Sequence, residues 1–443
     1  MTVRSLSLRH FRNYERLDVS FADGLNVLCG ENAQGKTNIL EAIFLCSAGR
    51  SHRTARDAEM VMHGERSARV CARIFHPLRG DMEIDIDIER GGGKSIKLNG
   101  VPLRRMGELL GHLPAVIFSP EDLGIVKDEP QVRRRFLDIF ISQAKPAYFF
   151  DLHQYNKALR QRNALLRQLR AEQGAAGGRG GAMGGCQAVD MAANQAIYKA
   201  GYEEIGAAGD PAEDPARDPA EDPVRNPAIY KPGDAVSVAG GVAVGCAASA
   251  LPAWDATLAR LGARVMGDRR VFLERIGARA HENHAAVCEG SESFRLIYAP
   301  SVKIARDDGR EDIERKLLEA LARGADADIA RMSTQAGPHK DDMSATLDGK
   351  SLKLYGSQGQ QRTASLALKL AQVDVMAEEV GDLPVLLLDD VMSELDVSRQ
   401  KNIAERIRAT QTFLTDTDAR SIRGAQAAAA AFIVRGGRVE RDE

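Results

Sequence analysis

GENAQGKT, residues 30 to 37, lies between a short apolar run and an amphipathic helical pattern. It fits G-x-x-x-x-G-K-[ST], whose glycines let backbone N–H groups approach phosphate oxygens, while the lysine reaches the β- and γ-phosphates and the last hydroxyl binds magnesium. The run GLNVLCG before it predicts a buried strand, and KTNILEAIFLC predicts a helix that Gly49 ends. This context favours a P-loop over a tight turn that matches by chance. The predicted phosphate-binding residues are Gly30, Glu31, Asn32, Ala33, Gln34, Gly35, Lys36 and Thr37.

A P-loop needs an acidic partner for magnesium at the end of a neighbouring buried strand. The strongest candidate is PVLLLDD, residues 384–390, in which an apolar run delivers Asp389 and Asp390 to the carboxyl end of a strand. We expect Asp389 to share the magnesium ion with Thr37, and Asp390 to orient or activate the attacking water. Because this strand follows the P-loop by some 350 residues, the nucleotide domain is predicted to be split by a large insertion.

The segment YGSQGQQRT, residues 355–363, precedes a strongly apolar helical pattern. Ser357 and Gln360 form an S-x-x-Q capping box, which would explain the segment as a helix start alone. A helix start with a hydroxyl, a glycine and an amide can also bind a γ-phosphate. Both interpretations stay open together, because the same N–H groups can serve a cap and a ligand. Ser357, Gly359 and Gln360 are therefore candidate nucleotide-binding residues.

The segments around these motifs predict an α/β protein with a helical insertion. Alternating residues in the first hundred positions predict strands, with a hairpin turn at Asn99-Gly100, and SATLDGKSLKLYG predicts a second hairpin at Asp348-Gly349. From residue 130 the period becomes helical, and a matching apolar helix begins near Trp254, as an antiparallel two-helix arm requires. QTFLT predicts a further strand and SRQKNIAERIRAT a helix. The two α/β parts are expected to form one sheet.

These patterns predict three parts of the chain. Residues 1–128 carry the P-loop half of the nucleotide domain, residues 129–330 form a helical arm lobe, and residues 331–443 complete the nucleotide domain. Within the lobe, residues 171–250 are rich in glycine and alanine and contain DPAEDPARDPAEDPVRNP, whose prolines forbid a continuous helix. We interpret this segment as a disordered surface insertion; a partner-binding tail is the less favoured alternative.

Composition narrows the class of protein without deciding its ligand. The 443 residues are 44% apolar and 28% charged, which is typical of a globular protein, and the net charge of −2 gives no overall attraction to nucleic acid. Six cysteines without C-x-x-C spacing predict neither a zinc scaffold nor a disulfide framework. The sequence shows no signal peptide and no apolar stretch of membrane-spanning length, so a cytoplasmic, soluble protein without a membrane partner is expected.

Taken together, these motifs resemble the ABC-type ATPase heads of chromosome maintenance and repair, and most closely the RecF family. Further segments carry the resemblance: FRNYERL (11–17), NAQGKTNILEAI (32–43), GRSHRT (49–54), FSPEDLGIVK (118–127), RRRFLD (133–138), GPHKDDM (337–343) and SELD (393–396). The resemblance implies a split P-loop ABC-type ATPase head with a short inserted arm, similar to the heads of SMC and Rad50 proteins. It covers roughly three quarters of the chain.

The resemblance also implies a mechanism and partners. Family heads dimerise around two ATP molecules with Mg2+, so that Ser357, Gly359 and Gln360 of one subunit would touch the γ-phosphate held by Gly30–Thr37 of the other, with Asp396 at the seam. RecF-like proteins bind DNA in an ATP-dependent manner, hydrolyse ATP slowly, and act with RecO and RecR to load RecA at single-strand gaps. The expected function is thus ATP-dependent DNA binding in recombinational repair, replication and the SOS response to DNA damage.

Two features of the sequence depart from the wider ABC pattern. Asp390 stands where many ABC ATPases have glutamate, and its shorter side chain should position water less well. Thr415-Asp416-Thr417 follows the last apolar strand in place of the switch histidine. The sequence also leaves two other functions open: a small-molecule kinase or other P-loop transferase, and a transporter-associated ATPase subunit. A kinase or transferase explains neither the segment at 355–363 nor the split domain, and the continuous arm with RRRFLD argues against a transporter-associated subunit.

Candidate DNA contacts and a candidate metal site are weaker predictions. Local basic patches compatible with phosphate contacts consist of Arg104, Arg105, Arg133, Arg134, Arg135, Arg160, Arg162, Arg167 and Arg170. For any one of these arginines a solvated helix face is the simpler interpretation. His339, Asp341 and Asp342 could ligate a metal, although hydrogen-bonded scaffolding is the favoured interpretation of the three. Trp254 is expected in an apolar core.

Overall fold

The computed structural model describes residues 1–177, 246–288, 292–391, 409–417 and 430–442. It separates into two compact units, one comprising Met1–Lys157, Leu258–Leu321 and Gln335–Glu443, the other Ala158–Thr257 and Ala322–Thr334. Most of the predicted insertion at 171–250, most of the predicted helix at 398–410, and the SELD motif with Ser393 and Asp396 lie outside the described residues.

The first unit contains an antiparallel sheet built mainly from the first hundred residues. Its strands, in the spatial order β2-β1-β4-β5-β6-β7, are β1 (Thr2–Phe11), β2 (Tyr14–Ser20), β4 (Ser67–His76), β5 (Gly80–Glu89), β6 (Lys94–Leu98) and β7 (Val101–Pro102). The predicted turn joins β6 to β7, with Asn99 at φ 51° and Gly100 at φ 77°. Two consecutive positive φ angles are the reason why Asn-Gly is favoured there. The predicted hairpin is confirmed.

A second six-stranded sheet combines both ends of the chain. In the order β15-β14-β3-β13-β12-β8 it contains β3 (Leu25–Cys29), β8 (Ala115–Phe118), β12 (Val385–Leu388), β13 (Thr412–Asp416), β14 (Ala430–Arg435) and β15 (Arg438–Asp442). All its pairings are parallel except that of β14 with β15. The prediction of one shared sheet is confirmed, and it brings the carboxyl ends of β3 and β12 to the same edge.

Helices cover both faces of this second sheet. Helix α1 (Lys36–Ala48) packs in the core shared with the antiparallel sheet, where Val385 and Leu387 of β12 also lie. The alternate residues Leu386 and Leu388 point to the opposite core. That core holds α3 (Pro130–Ala144) and α9 (Gln358–Val380), while the one-turn helix α2 (Gly124–Lys127) precedes α3. Successive residues of β12 thus pack alternately into the cores on the two faces of the sheet, as expected of a buried parallel strand.

A small third sheet follows the helical arm in sequence. Strand β9 (Phe294–Ala299) pairs with β10 (Asp342–Leu347), which pairs with the two-residue β11 (Lys350–Ser351). The turn at Asp348-Gly349 is as predicted, with φ angles of 49° and 77°. The second strand of the predicted hairpin is wrong beyond Ser351, because Leu352–Tyr355 form a helical turn, α8, that buries Leu352 and leaves Leu354 exposed.

Two long helices form the predicted arm, α4 (Pro146–Gly177) and α5 (Cys246–Val287). The helices α6 (Arg310–Arg323) and α7 (Ala325–Arg331) follow β9. The second unit is smaller than the predicted lobe at 129–330, because α3 and parts of α4 and α5 belong to the core of the first unit. Trp254 is only partly buried. Among the described residues, no helix combines the length and the apolar character needed to cross a bilayer.

Buried charge, rather than a basic surface, explains Arg162. Its guanidinium is fully buried in the second unit and donates to Asp255 Oδ1 at 2.6 Å, Asp328 Oδ2 at 2.7 Å and Thr334 Oγ1 at 2.9 Å. The sequence interpretation of Arg162 as a candidate DNA contact is therefore wrong, because both carboxylates already hold it inside the unit. Arg160, Arg167 and Arg170 on the same helix are exposed.

We expect Arg162→Met to lower the free energy of unfolding by about 3 kcal/mol, because it leaves two carboxylates buried without their cation. Burial raises the pKa of Asp255, which Arg162 opposes, so loss of the arginine raises that pKa further. A carboxyl pKa raised in the folded state favours folding as pH falls, so the deficit should be larger at pH 8 than at pH 5. Urea unfolding measures both effects. Arg167→Met is the matched control, and an equal loss in that variant would contradict the assignment.

Candidate nucleotide site

The predicted P-loop turns from the end of β3 into the start of α1. Gly35 adopts φ 116°, and a Cβ there would lie 2.7–2.9 Å from side-chain atoms of Asn13 and Tyr14. At Gly30 a Cβ would lie 2.3 Å from the carbonyl oxygen of Val434. Neither position has room for a side chain, and Gly35 also needs a backbone angle that side chains disfavour. Both glycines of the motif are therefore required by the loop and by the strands that pack behind it.

Residues distant in sequence support this loop from behind. Asn13 Nδ2 donates to Gln34 O at 2.9 Å, Tyr14 Oη donates to Gly35 O at 3.1 Å, and Gly436 N donates to Gln34 Oε1 at 2.6 Å. Burial raises the pKa of Tyr14, which keeps its hydroxyl a donor. Sequence reasoning found no role for Asn13 and Tyr14; their only signal was the FRNYERL segment in the family resemblance.

The start of α1 is suited to bind an anion. Its first turn contains no acidic residue, so the partial positive charge of the helix start is not neutralised by its own side chains. The buried ammonium of Lys36 donates to the carbonyls of Gly30 and Glu31, the latter at 3.1 Å, and so lies over the loop. A cation and a row of backbone N–H groups at one helix start form the arrangement that binds phosphate groups.

The carboxyl ends of β3, β13 and β12 bring the predicted magnesium ligands together. Thr37 Oγ1 donates to Asp389 Oδ1 at 2.8 Å, although 352 residues separate the two along the chain. Burial raises the pKa of Asp389, while the hydrogen bonds from Thr37 and Thr415 act in the opposite direction. A hydroxyl and a carboxylate oxygen at this distance form the hard-oxygen pair that Mg2+ prefers. The donor set therefore fits the cofactor that the motifs predict.

Thr415 connects the two aspartates, a role that the sequence interpretation missed. Its buried hydroxyl donates to Asp389 Oδ1 at 3.0 Å and accepts from the backbone N–H of Asp390 at 2.8 Å. Asp390 adopts a left-handed conformation, φ 53°, in the turn after β12. Where the switch histidine was absent from the sequence, the structure thus has a residue that positions both carboxylates.

We expect Thr415→Val to lower the free energy of unfolding by roughly 1–3 kcal/mol, because it removes the buried hydroxyl that accepts from the Asp390 N–H. Thermal or urea unfolding measures the loss. Thr412→Val on the same strand is the matched control, since the Thr412 hydroxyl is also buried but makes only a long, 3.3 Å bond to Thr410 O. Equal losses in the two variants would show that the Thr415 hydroxyl does not hold the turn.

The segment at 355–363 starts α9 with the predicted capping box. Gln360 N donates to Ser357 Oγ at 3.2 Å, and Ser357 N donates to Gln360 Oε1 at 2.9 Å. The first turn contains no acidic residue, and Ser357 and Gly359 are exposed. Among the described residues, no hydrogen bond joins this helix start to the chain's own P-loop. The structure therefore confirms the cap and leaves the helix start facing outward.

Gly359 has no packing role among the residues that the structure describes. A Cβ at this position would meet only Ser357 Oγ, at 4.0 Å. Glycine inside a helix costs up to about 1 kcal/mol relative to alanine, so this residue is not explained by the stability of the helix.

The remaining candidates of the sequence interpretation have structural partners. Arg133 is buried and donates to both oxygens of Asp342, Arg134 donates to Asp341 O, and Arg135 donates to Ser51 O. Arg133 is therefore a scaffold residue neutralised by Asp342, whereas the partly buried Arg134 and Arg135 are held by backbone carbonyls. Asp341 accepts from Tyr298, and His339 Nδ1 lies 2.7 Å from Tyr155 Oη. The favoured scaffolding interpretation of His339, Asp341 and Asp342 is confirmed. Arg104 and Arg105 are exposed.

Comparison with known proteins supports the same kind of site. The family model described as RecF/RecN/SMC N terminal domain matches residues 2–439. The DNA replication and repair protein RecF of Acetivibrio thermocellus is 37% identical over 418 residues, 94% of each chain, and that of Alkaliphilus oremlandii is 36% identical over 417 residues, 94% of this chain and 93% of the relative. A solved structure of the recombination mediator protein RecF-ATP in the RecFOR pathway covers 100% of this chain and 97% of its own, with 31% identity and a TM-score of 0.78.

Proposed function

The chain belongs to the RecF/RecN/SMC N-terminal domain family, within its RecF proteins of DNA replication and repair, and from this premise we propose that it is an ATP-switched DNA clamp. The observation that carries the proposal is the 2.8 Å bond from Thr37 Oγ1 to Asp389 Oδ1. This contact between the P-loop and the acidic strand end supports a single nucleotide site formed across the insertion.

In the proposed site, the backbone of Gly30–Thr37 and the Lys36 ammonium hold the phosphates of ATP, while Thr37 and Asp389 hold Mg2+. The loop's own geometry supports this, because its glycines and its lysine already form a cradle closed from behind by Asn13 and Tyr14. When bound, ATP would supply the negatively charged γ-phosphate that a second copy of the chain could contact. Asp390 then orients the attacking water; its short side chain supports slow hydrolysis.

The second half of the site comes from another copy of the chain. Ser357, Gly359 and Gln360 would donate to the γ-phosphate held by the partner, which explains an outward-facing helix start and a glycine without a packing role. The residues before it support a protein contact, because Leu354 and Tyr355 are 71% and 74% exposed. Large apolar side chains at such exposure favour an interface. ATP binding would therefore cause two copies of the chain to dimerise.

The proposed partners of the dimer are DNA, RecR-like and RecO-like proteins, and RecA indirectly, at single-strand gaps in the cytoplasm. Exposed arginines of the sequence interpretation remain the candidates for phosphate contacts: Arg104, Arg105, Arg160, Arg167 and Arg170. A small-molecule kinase and a transporter-associated ATPase are not favoured, since the RecF relatives match 94% of the chain.

Sedimentation velocity tests the composite site directly. We expect the chain to be a monomer without nucleotide and a dimer with saturating ATP and magnesium, with the dimer held longest in Asp390→Asn, because that variant keeps ATP unhydrolysed. A monomer under those conditions would contradict the proposed mechanism.

DNA binding with and without ATP, on gapped, single-stranded and duplex substrates across a salt series, tests the function. We expect ATP to strengthen binding and gapped DNA to be preferred. The slope of log affinity against log salt counts the phosphate contacts, at about 0.9 per contact on duplex DNA. A DNA affinity that changes neither with ATP nor with the structure of the DNA would count against a gap-repair clamp.

A further inference from the structure

Three side chains with different ligand atoms meet where α5 ends. One ligand atom from each of His284, Cys288 and Glu292 lies within 4.8 Å of the other two. The His284 Nε2 to Cys288 Sγ distance is 4.0 Å, and the His284 Nε2 to Glu292 Oε2 distance is also 4.0 Å. This is the one such mixed group of three found in the described ranges, and it lies outside the predicted P-loop and acidic strand end.

The end of α5 places two of the three side chains on the same side of the helix, as in metal sites built on a helix. His284 and Cys288 are four residues apart, and the bond from Cys288 N to His284 O, 2.9 Å, continues the helical turn to Cys288. Ligands at this spacing share one helix face. The His284 ring stacks on Phe294 with centroids 5.5 Å apart and planes 19° apart, so its orientation is set by β9. His284 is fully buried, whereas Cys288 and Glu292 are partly exposed.

The donor set selects the kind of metal. Imidazole nitrogen, thiolate sulfur and one carboxylate oxygen suit Zn2+ and do not suit magnesium or calcium, which take oxygen ligands. Zinc bonds of about 2.0–2.3 Å place tetrahedral ligands roughly 3.5 Å apart, so the two 4.0 Å distances from His284 Nε2 need to shrink by about half an ångström. The ligand atoms of Cys288 and Glu292 lie within 4.8 Å of each other. The partly exposed side leaves a fourth position for water. A helix carboxyl end also favours a cation.

Glu292 links this group to the start of α9. Its Oε1 accepts from Gln360 Nε2 at 2.7 Å, while its Oε2 faces His284. The same Gln360 side chain accepts from Ser357 N in the capping box. Any ion that fixed the Glu292 carboxylate would therefore also restrain the two residues at the helix start.

We propose that His284, Cys288 and Glu292 form a Zn2+ site whose occupancy stabilises the start of α9 through Gln360. The metal site needs no nucleotide. Its effect on dimerisation would rest on the proposed function, because there the same helix start meets the partner's γ-phosphate.

Metal binding tests the site on the whole chain, without nucleotide. After treatment with a chelator, the protein should take up one Zn2+, and Co2+ in its place should show the near-ultraviolet absorption of a thiolate complex. Cys288→Ser and Glu292→Gln should weaken zinc binding by at least about 100-fold, since loss of a ligand should cost no less than loss of its supporting contacts. Cys71→Ser, a partly exposed cysteine on β4, is the control. No stoichiometric zinc, or equal affinity in Cys288→Ser, would overturn the site.

Hydrogen exchange tests the link to α9, again without nucleotide. We expect Zn2+ to slow exchange of the amides at 357–363 in the unmodified chain and in Cys71→Ser, but not in Cys288→Ser. Zinc binding that leaves this exchange unchanged would overturn the link between the metal and the helix start. Because no ATP is present, neither result depends on whether the chain dimerises.

Discussion

Ser357→Asp abolishes ATP-dependent dimerisation while the isolated chain still binds ATP. Aspartate is as good a helix cap as serine, so the start of α9 should fold normally. Its carboxylate would, however, face the γ-phosphate held by the second copy, and like charges brought together at an interface cost several kcal/mol. The dimer contains two such contacts, so a cost of about 2 kcal/mol at each of them weakens dimerisation roughly 1,000-fold. Sedimentation with ATP measures the dimer, and fluorescent nucleotide binding measures the retained site.

Two further variants separate charge from helix capping. Gly359→Ala should raise the free energy of unfolding by about 0.5–1 kcal/mol, because alanine favours a helix and its Cβ meets nothing closer than 4.0 Å. The same methyl group should weaken the dimer if another molecule packs there. Ser67→Asp, at an exposed serine on β4, is the control for added charge. Dimerisation of Ser357→Asp at the level of this control would disprove the composite site.

Asp390→Asn lowers the rate of ATP hydrolysis by about 1,000-fold and leaves ATP binding within a few-fold of the unmodified chain. A positioned general base contributes about 100- to 10,000-fold, and an amide cannot accept the proton. The fold should tolerate this change, because asparagine adopts the left-handed conformation that Asp390 has, φ 53°, and keeps the N–H that donates to Thr415. Single-turnover hydrolysis measures the rate.

The neighbouring aspartate provides the comparison that distinguishes the two roles. Asp389→Asn should weaken magnesium-dependent ATP binding itself, because it removes the carboxylate that lies beside Thr37 Oγ1 at the proposed ion site. Asp23→Asn, on an exposed turn, should change neither property. Normal hydrolysis in Asp390→Asn would assign the base to another residue.

The parts of the site that could be predicted from the sequence are those encoded locally. The P-loop, the run that ends at Asp389 and the capping box each occupy fewer than ten consecutive residues with a characteristic period or spacing. Asn13 and Thr415 were missed because their partners lie across the sheet, at Gln34 and Asp389, and no local pattern encodes a non-local hydrogen bond.

The wrong interpretations have the same origin. Helical periodicity identified the segments that contain Arg133 and Arg162, but it could not show that Asp342 and Asp255 would meet these arginines from distant elements. Alternation in LKLY resembled a strand, yet tertiary packing of Leu352 turned the segment into one helical turn. Whether an arginine such as Arg133 or Arg162 is buried in the scaffold or exposed at the surface depends on its position in the fold.

The interleaved order of the second sheet has a consequence for synthesis on the ribosome. Strand β3 emerges early but pairs with β13 and β14, and Gly436 supports the P-loop through Gln34. At about 5–20 residues per second, roughly 20 to 80 seconds pass between translation of Cys29 and of Ala430. During that interval β3 has neither neighbour, and the nascent loop lacks its support. The nascent P-loop therefore gains its support from this side only after Gly436 has been translated.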